Sequence, residues 1–156
     1  MNLQIYNRQH TQPLDIRAIR RLTGRLFEKA MRREKQMSWG TVTLVLTDDK
    51  GIAKVKEATF GYREITDVVT VAYAPMPGFP ETDAEIFVNV QRAFTRPCRA
   101  NWTPAQELAL YIAHGCDHLS GADDQTPAER RRMRQRELRW LRSFPSVFRF
   151  NKTHDE

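Results

Sequence analysis

Apolar positions along the chain change period several times, and each change marks an element. Residues 3–7, LQIYN, read as a short strand that ends before Pro13. From 14 to 31 the apolar residues Leu14, Ile19, Leu22, Leu26 and Ala30 fall near helical spacing, with Arg17, Arg20, Arg21 and Arg25 between them, which predicts an amphipathic helix. WGTVTLVLTD, 39–48, is dense in β-branched residues and predicts a strand. Residues 48–61 return to helical spacing, with aspartates at the start, Gly61 at the end, and Ile52, Val55 and Thr59 expected to face inward. Two further strands are expected at 66–73, TDVVTVAY, and 85–90, EIFVNV, separated by the Pro/Gly-rich loop 74–84.

The last two helices announce their own starts. Thr103-Pro104-Ala105-Gln106 and Thr126-Pro127-Ala128-Glu129 each place threonine at the N-cap, proline at N1 and Gln or Glu at N3. That is the capping-box pattern, in which the two side chains satisfy backbone N–H groups that have no partner inside the helix. The first should run 104–119 and stop at Gly121. The second should run about 127–143, with Met133, Glu137, Trp140, Leu141 and Phe144 inward. The order β-α-β-α-β-β-α-α predicts one α+β domain, a mixed sheet of about four strands packed with helices, over residues 1–144. Residues 145–156 have little pattern and read as a loose tail.

Composition adds charge to this outline. Twenty-five Lys and Arg against 19 Asp and Glu give +6, which favours an anionic partner such as nucleic acid. Arginine supplies seven of the thirteen residues from 130 to 142. Arg17, Arg21, Arg25, Arg130 and Arg134 are the candidate nucleic-acid contacts, and a solvated helix face is the plainer account of such runs. Two cysteines, Cys98 and Cys116, define no disulfide framework. A polar N-terminus and the lack of a long apolar run lead to the expectation of a cytoplasmic protein with no membrane partner. No glycine-rich phosphate loop is present, so no nucleotide cofactor is expected.

Chemistry concentrates in HGCDHLSGADD, 114–124. His114 and His118 stand at i and i+4 on the expected helix 104–119, so both imidazoles share one face and can share one metal ion at its end. A third ligand must come from beyond the helix. Gly121 allows a sharp turn, after which Asp123 or Asp124 can bring a carboxylate beside the rings, and Gly115 allows something to approach the helix backbone closely. Cys116, on another helical face, is not expected to be a ligand. A pair of hydrogen-bonded, partly buried histidines with no metal is the competing account on spacing alone.

The same stretch resembles the signature of the YbeY metalloprotein family, H-G-x-L-H-L-x-G-Y-D-H, with His114, Gly115, His118, Leu119, Gly121 and Asp123 in register. TDDKGIAKVKEATFG followed by TDVVTVAY, then AEIFVNV, then TPAERRRMRQRELRWL resemble successive family segments, so the likeness spans about residues 39–143. It implies a metal-dependent endoribonuclease directed at single-stranded RNA. It also implies work on the 3′ end of small-subunit ribosomal RNA and in ribosome quality control, with the small subunit as partner. A non-catalytic, metal-stabilised ribosome-binding factor is the alternative. The family's zinc is ordinarily held by three histidines. Here the likeness assigns His114 and His118 as ligands and puts Asp124 in the third position. With a carboxylate there, zinc remains the expected ion, and iron or manganese also suit the set. Asp117 stands in the place of a family leucine and Ala122 in that of a tyrosine. Asp117 reads first as a solvent-facing helix carboxylate and second as a base beside the ion. An arginine that the family places before T-D-V falls at Phe60, and Arg63 is the nearby substitute or an ordinary loop residue.

Overall fold

The computed structural model describes residues 1–33, 37–96 and 101–144. Its elements are β1 (Asn2–Asn7), α1 (Ile16–Met31), β2 (Trp39–Thr47), α2 (Asp49–Phe60), β3 (Val68–Tyr73), β4 (Thr82–Asn89), α3 (Val90–Thr95), α4 (Pro104–Leu119) and α5 (Pro127–Arg142). The strands form one mixed sheet in the order β1-β2-β4-β3. β2 runs parallel to both β1 and β4, so α1 and α2 supply the crossovers that parallel strands require. β3 returns antiparallel to β4 across a tight loop in which Met76 and Phe79 bond to each other and Gly78 takes φ +81°. The expected α+β architecture with a four-stranded sheet is therefore present.

Strand alternation puts Val42, Leu44 and Leu46 of β2 with Ala84, Ile86 and Val88 of β4 on one buried face, under α1 and α4. α4 is buried along Leu108–Ala113, apolar nearly all round, and packs against α1, α3, α5, β3 and β4. Each large aliphatic side chain buried there contributes about 1.5–3 kcal/mol, against about 1 kcal/mol for a cap. Core packing therefore fixes α4, and whatever α4 carries sits on a rigid support. Gly115 sets how close it comes: a Cβ there would meet Ile86 Cγ2 at 2.6 Å and Val68 Cγ2 at 3.2 Å. The helix thus rests directly on β3 and β4 at the level of the histidines.

Of the two expected capping boxes, the one at α4 forms whole and the one at α5 forms only its threonine half. Thr103 and Gln106 make both halves of the capping box, and Thr126 Oγ1 accepts from the Glu129 N–H at 3.1 Å. Gly61 and Gly121 both take positive φ, +83° and +93°.

Some boundaries differ from expectation. β4 begins at Thr82, because Thr82 and Ala84 pair with Trp39 and Val42 across the sheet. It ends at Asn89, whose side chain accepts from the Arg92 N–H at 3.1 Å and starts α3, a helix with no periodic signal of its own. β3 starts two residues late because Asp67 Oδ1 takes the Val68 N–H at 2.8 Å and holds a turn. On α2, Ile52 is buried as expected, but Thr59 is exposed and Ala53 is buried instead. Val55, also expected inward, is half-buried, and residues 57–60 are exposed. The expected tail, 145–156, and Cys98 lie outside the described residues. Among the described residues no helix is long and apolar enough to cross a membrane.

Candidate metal centre

Both histidines project from the last turn and a half of α4, where i and i+4 side chains meet. Their rings stand edge to face, 4.4 Å apart between centroids, with the two Nε2 atoms 3.0 Å from each other. Each Nδ1 is engaged on the other side. His114 Nδ1 donates to Glu137 Oε2 at 2.8 Å, and His118 Nδ1 donates to the Ala122 carbonyl at 3.2 Å. With the proton on Nδ1, each Nε2 presents its lone pair to the same point.

The chain after α4 delivers the third donor. Gly121 in the left-handed region turns it back, and the Ala122 N–H bonds to the Asp117 carbonyl at 3.3 Å. Asp123 Oδ1 accepts the Asp124 N–H at 2.8 Å, while Arg130 Nη1 reaches from α5 to the carbonyls of Asp124 and Gln125 at 3.0 and 3.2 Å. Asp124 Oδ2 thereby stops 3.5 Å from His114 Nε2 and 3.4 Å from His118 Nε2. Of the two aspartates left open by spacing, the structure brings Asp124 to the rings.

This triangle fits a metal ion. Metal–ligand bonds of about 2.0–2.1 Å in a tetrahedral site place donor atoms about 3.3 Å apart, and the observed edges are 3.0, 3.4 and 3.5 Å. Three converging lone pairs repel one another unless a cation sits among them. The group His114, His118 and Asp124 is the one cluster of metal-ligating side chains found among the described residues.

Support comes from α5. Glu137 is fully buried, and only its bond to His114 is made; its Oε1 has no hydrogen-bond partner among the described residues. Burial pushes the Glu137 carboxyl upward, Asp117 adds to this, and His114 opposes it. Burial alone would lower the His114 pKa, but the bond to Glu137 and its charge, together with the charges of Asp67 and Asp124, raise it. Such a carboxylate–histidine pair fixes the ring and strengthens its other nitrogen as a donor. Sequence reading placed Glu137 on the inner stripe without assigning it a partner. An acidic residue in an otherwise apolar stripe was the available signal.

Asp117 corrects the reading from sequence. Rather than facing solvent, it is fully buried. Arg136 clamps it in two bonds of 3.0 and 2.8 Å, and Arg33 lies at 3.4 Å. One residue before His118, it is turned about 100° away from the histidine face, toward α5 and α1. It does not line the cleft at the ligand trio, and its oxygens are already engaged by guanidinium groups. Cys116 is also buried, its thiol pushed up to about 12 chiefly by desolvation, so it offers no thiolate.

The trio opens into a cleft of about 320 Å³ lined also by Lys56, Phe60, Thr66, Asp67, Val68 and Thr70. Arg63 is elsewhere: it pairs with Glu57 at 2.9 Å and lines a separate cavity beside Asp49 and Ile65. Arg17, Arg21 and Arg25 are exposed on α1, Arg134 is half-buried on α5, and none of them lines the cleft. The family likeness had pointed to position 60 as that of an arginine, and the structure puts Phe60 on the cleft; Lys56 was missed, because a lysine near a helix end carries no signal of what faces it.

The Endoribonuclease YbeY family model matches residues 4–145. The chain belongs to that family. Similar family proteins include Endoribonuclease YbeY of Chlamydia muridarum, 28% identical over 139 residues that cover 85% of this chain and 81% of that one. The protein of the same name from Chlamydia pneumoniae is 25% identical over 144 residues, covering 88% and 87%. The solution structure of TM1509 from Thermotoga maritima has the same fold, with a TM-score of 0.52, 18% identity and 99% of both chains covered. Family membership, which the HGCDHLSGADD motif led one to expect, is thus established over most of the chain.

Proposed function

We propose that this chain is a metal-dependent endoribonuclease that cuts single-stranded RNA. Its task on this reading is ribosomal RNA maturation in the cytoplasm, at the 3′ end of small-subunit RNA, together with ribosome quality control. The observation that carries the proposal is three donor atoms, His114 Nε2, His118 Nε2 and Asp124 Oδ2, within 3.5 Å of one another at the mouth of an open cleft. The family's relatives that bear the name Endoribonuclease YbeY supply the reaction class.

His114, His118 and Asp124 hold the ion on this reading, and zinc suits two imidazoles and one carboxylate, with iron or manganese as substitutes. When bound, such an ion supplies Lewis acidity, polarising a phosphoryl oxygen and acidifying a water. Glu137 holds the His114 ring in the tautomer that leaves Nε2 free. The Ala122 carbonyl does the same for His118. Arg130 holds the Asp124 loop against α5, so the carboxylate needs no rearrangement to act. Outside the cleft, Arg17, Arg21, Arg25 and Arg134 provide a diffuse positive surface for the phosphate backbone.

The test is cleavage of an unstructured RNA by zinc-loaded wild type. Activity should disappear in His114→Ala with the circular-dichroism spectrum unchanged. The phenylalanine at position 60, where the family places an arginine, favours the second reading, a binding factor without cleavage. RNA binding with no cleavage under zinc, iron or manganese would establish that reading instead.

A further inference from the structure

The cleft has a second wall, built by the C-terminal end of α2. Lys56 and Phe60 lie one helical turn apart on the face that looks onto His114, His118 and Asp124. Phe60 is 54% exposed and Tyr62, just past the helix, 52%. Their rings stand 6.4 Å apart at 39°, and Lys56 Nζ sits 5.6 and 5.7 Å from the two centroids. The two rings hold the ammonium in place through cation–π attraction. Among the described residues no carboxylate lies within ion-pair distance of Lys56, whereas the neighbouring Arg63 is taken by Glu57 at 2.9 Å. A held cation with no ion-pair partner among the described residues and a large aromatic left in water thus face the same opening as Asp67 and the three metal-ligating atoms.

Each of these features matches one part of a single RNA strand. A lysine ammonium is a point charge suited to a phosphate. A solvent-exposed aromatic ring is the platform on which an unpaired base stacks, and it accepts any base because every base has a π-face. Bases inside a duplex keep their faces covered by their neighbours, so such a platform selects single strands. We propose that Lys56 and Phe60 form the substrate wall of the cleft. Phe60 stacks an unpaired nucleobase, and Lys56 pairs with a phosphate of the same strand beside the metal ligands. This rests on the ribonuclease reading above and adds to it which residues grip the strand. It also returns a cation to the cleft that the Phe60 position itself lacks, from one turn earlier on α2 rather than from Arg63.

The test uses zinc-loaded full-length protein and a fluorescent oligoadenylate with 2′-O-methyl riboses and phosphorothioate links, which resists cleavage. A second probe has the same backbone without bases. Phe60→Ala should weaken binding of the first probe by about 5- to 150-fold and leave the second unchanged, with Phe60→Trp close to wild type. Lys56→Ala should lower the slope of log affinity against log salt by about 0.7 on both probes, and Lys56→Arg should restore it. Zinc content should be the same in all variants. Wild-type binding matched by both alanine variants would overturn the wall and leave the ribonuclease reading standing. Equal loss on both probes for Phe60→Ala would overturn stacking. Failure of zinc-loaded wild type to bind either probe would overturn both proposals together.

Discussion

Glu137→Gln is expected to weaken zinc binding by about ten- to a hundred-fold while the fold stays intact. Glu137 Oε2 lies 2.8 Å from His114 Nδ1, and the carboxylate is fully buried. A hydrogen bond of this charge-assisted kind contributes about 1.5–3 kcal/mol, and about 1.4 kcal/mol corresponds to one decade of affinity. One to two decades follow if the whole bond serves to orient and polarise the imidazole. Glutamine keeps the volume and an accepting carbonyl, so the ring stays packed; what disappears is the negative charge that strengthens Nε2 as a donor. A second effect runs the other way. Burial makes the charged carboxylate unfavourable there, and Asp117 adds to the cost. A neutral amide removes that cost, so the melting temperature of the metal-free protein should hold or rise. Metal affinity and metal-free stability are therefore expected to move in opposite directions. Competition with a fluorescent zinc chelator gives the first, and thermal melts in chelator give the second. An unchanged zinc affinity with an unchanged melt would refute the orienting role, and a fall in both would make Glu137 a packing residue only.

Three other substitutions probe neighbouring parts of the structure. Asp124→Ala removes the third donor, only partly buried, and should reduce zinc affinity well beyond the Glu137 variant with little effect on the metal-free melt; elemental analysis still finding one zinc per chain after dialysis would count against it. Gly115→Ala places a methyl 2.6 Å from Ile86 Cγ2, and the overpacking should cost about 1–3 kcal/mol, seen as a melting temperature lower by several degrees. An unchanged melt would show that α4 does not rest on the sheet as closely as described. Asp117→Asn breaks the charge balance of the buried pair with Arg136 and should destabilise by about 3–5 kcal/mol in urea titration. Zinc content should nevertheless remain stoichiometric in the folded variant, and loss of zinc without loss of stability would assign Asp117 to the metal instead.

Much of this protein is local, and what is local was legible along the chain. The helices α1, α4 and α5 follow from period and from Thr103 and Thr126 at their starts, because capping and amphipathicity are set within a turn or two. His114 and His118 share a face by helix geometry alone, and Gly121 marks where the chain turns back. Contacts between distant segments decided the rest. Pairing with β2 extended β4 to Thr82, and the short α3 rests on a cap at Asn89 rather than on a pattern. Asp117 and His118 are adjacent in the chain, yet one joins Arg136 of α5 and Arg33 just past α1 and the other the metal trio, because consecutive helix residues point about 100° apart. The choice of Asp124 over Asp123 depended on Arg130 holding the loop, and Glu137 found His114 only once α5 had packed on α4. Lys56 and Phe60 reached the same cleft only because the sheet set the end of α2 opposite the end of α4. One-dimensional spacing specifies which side chains share a face. Which faces meet depends on burying apolar area between segments far apart in sequence, and no local pattern encodes that.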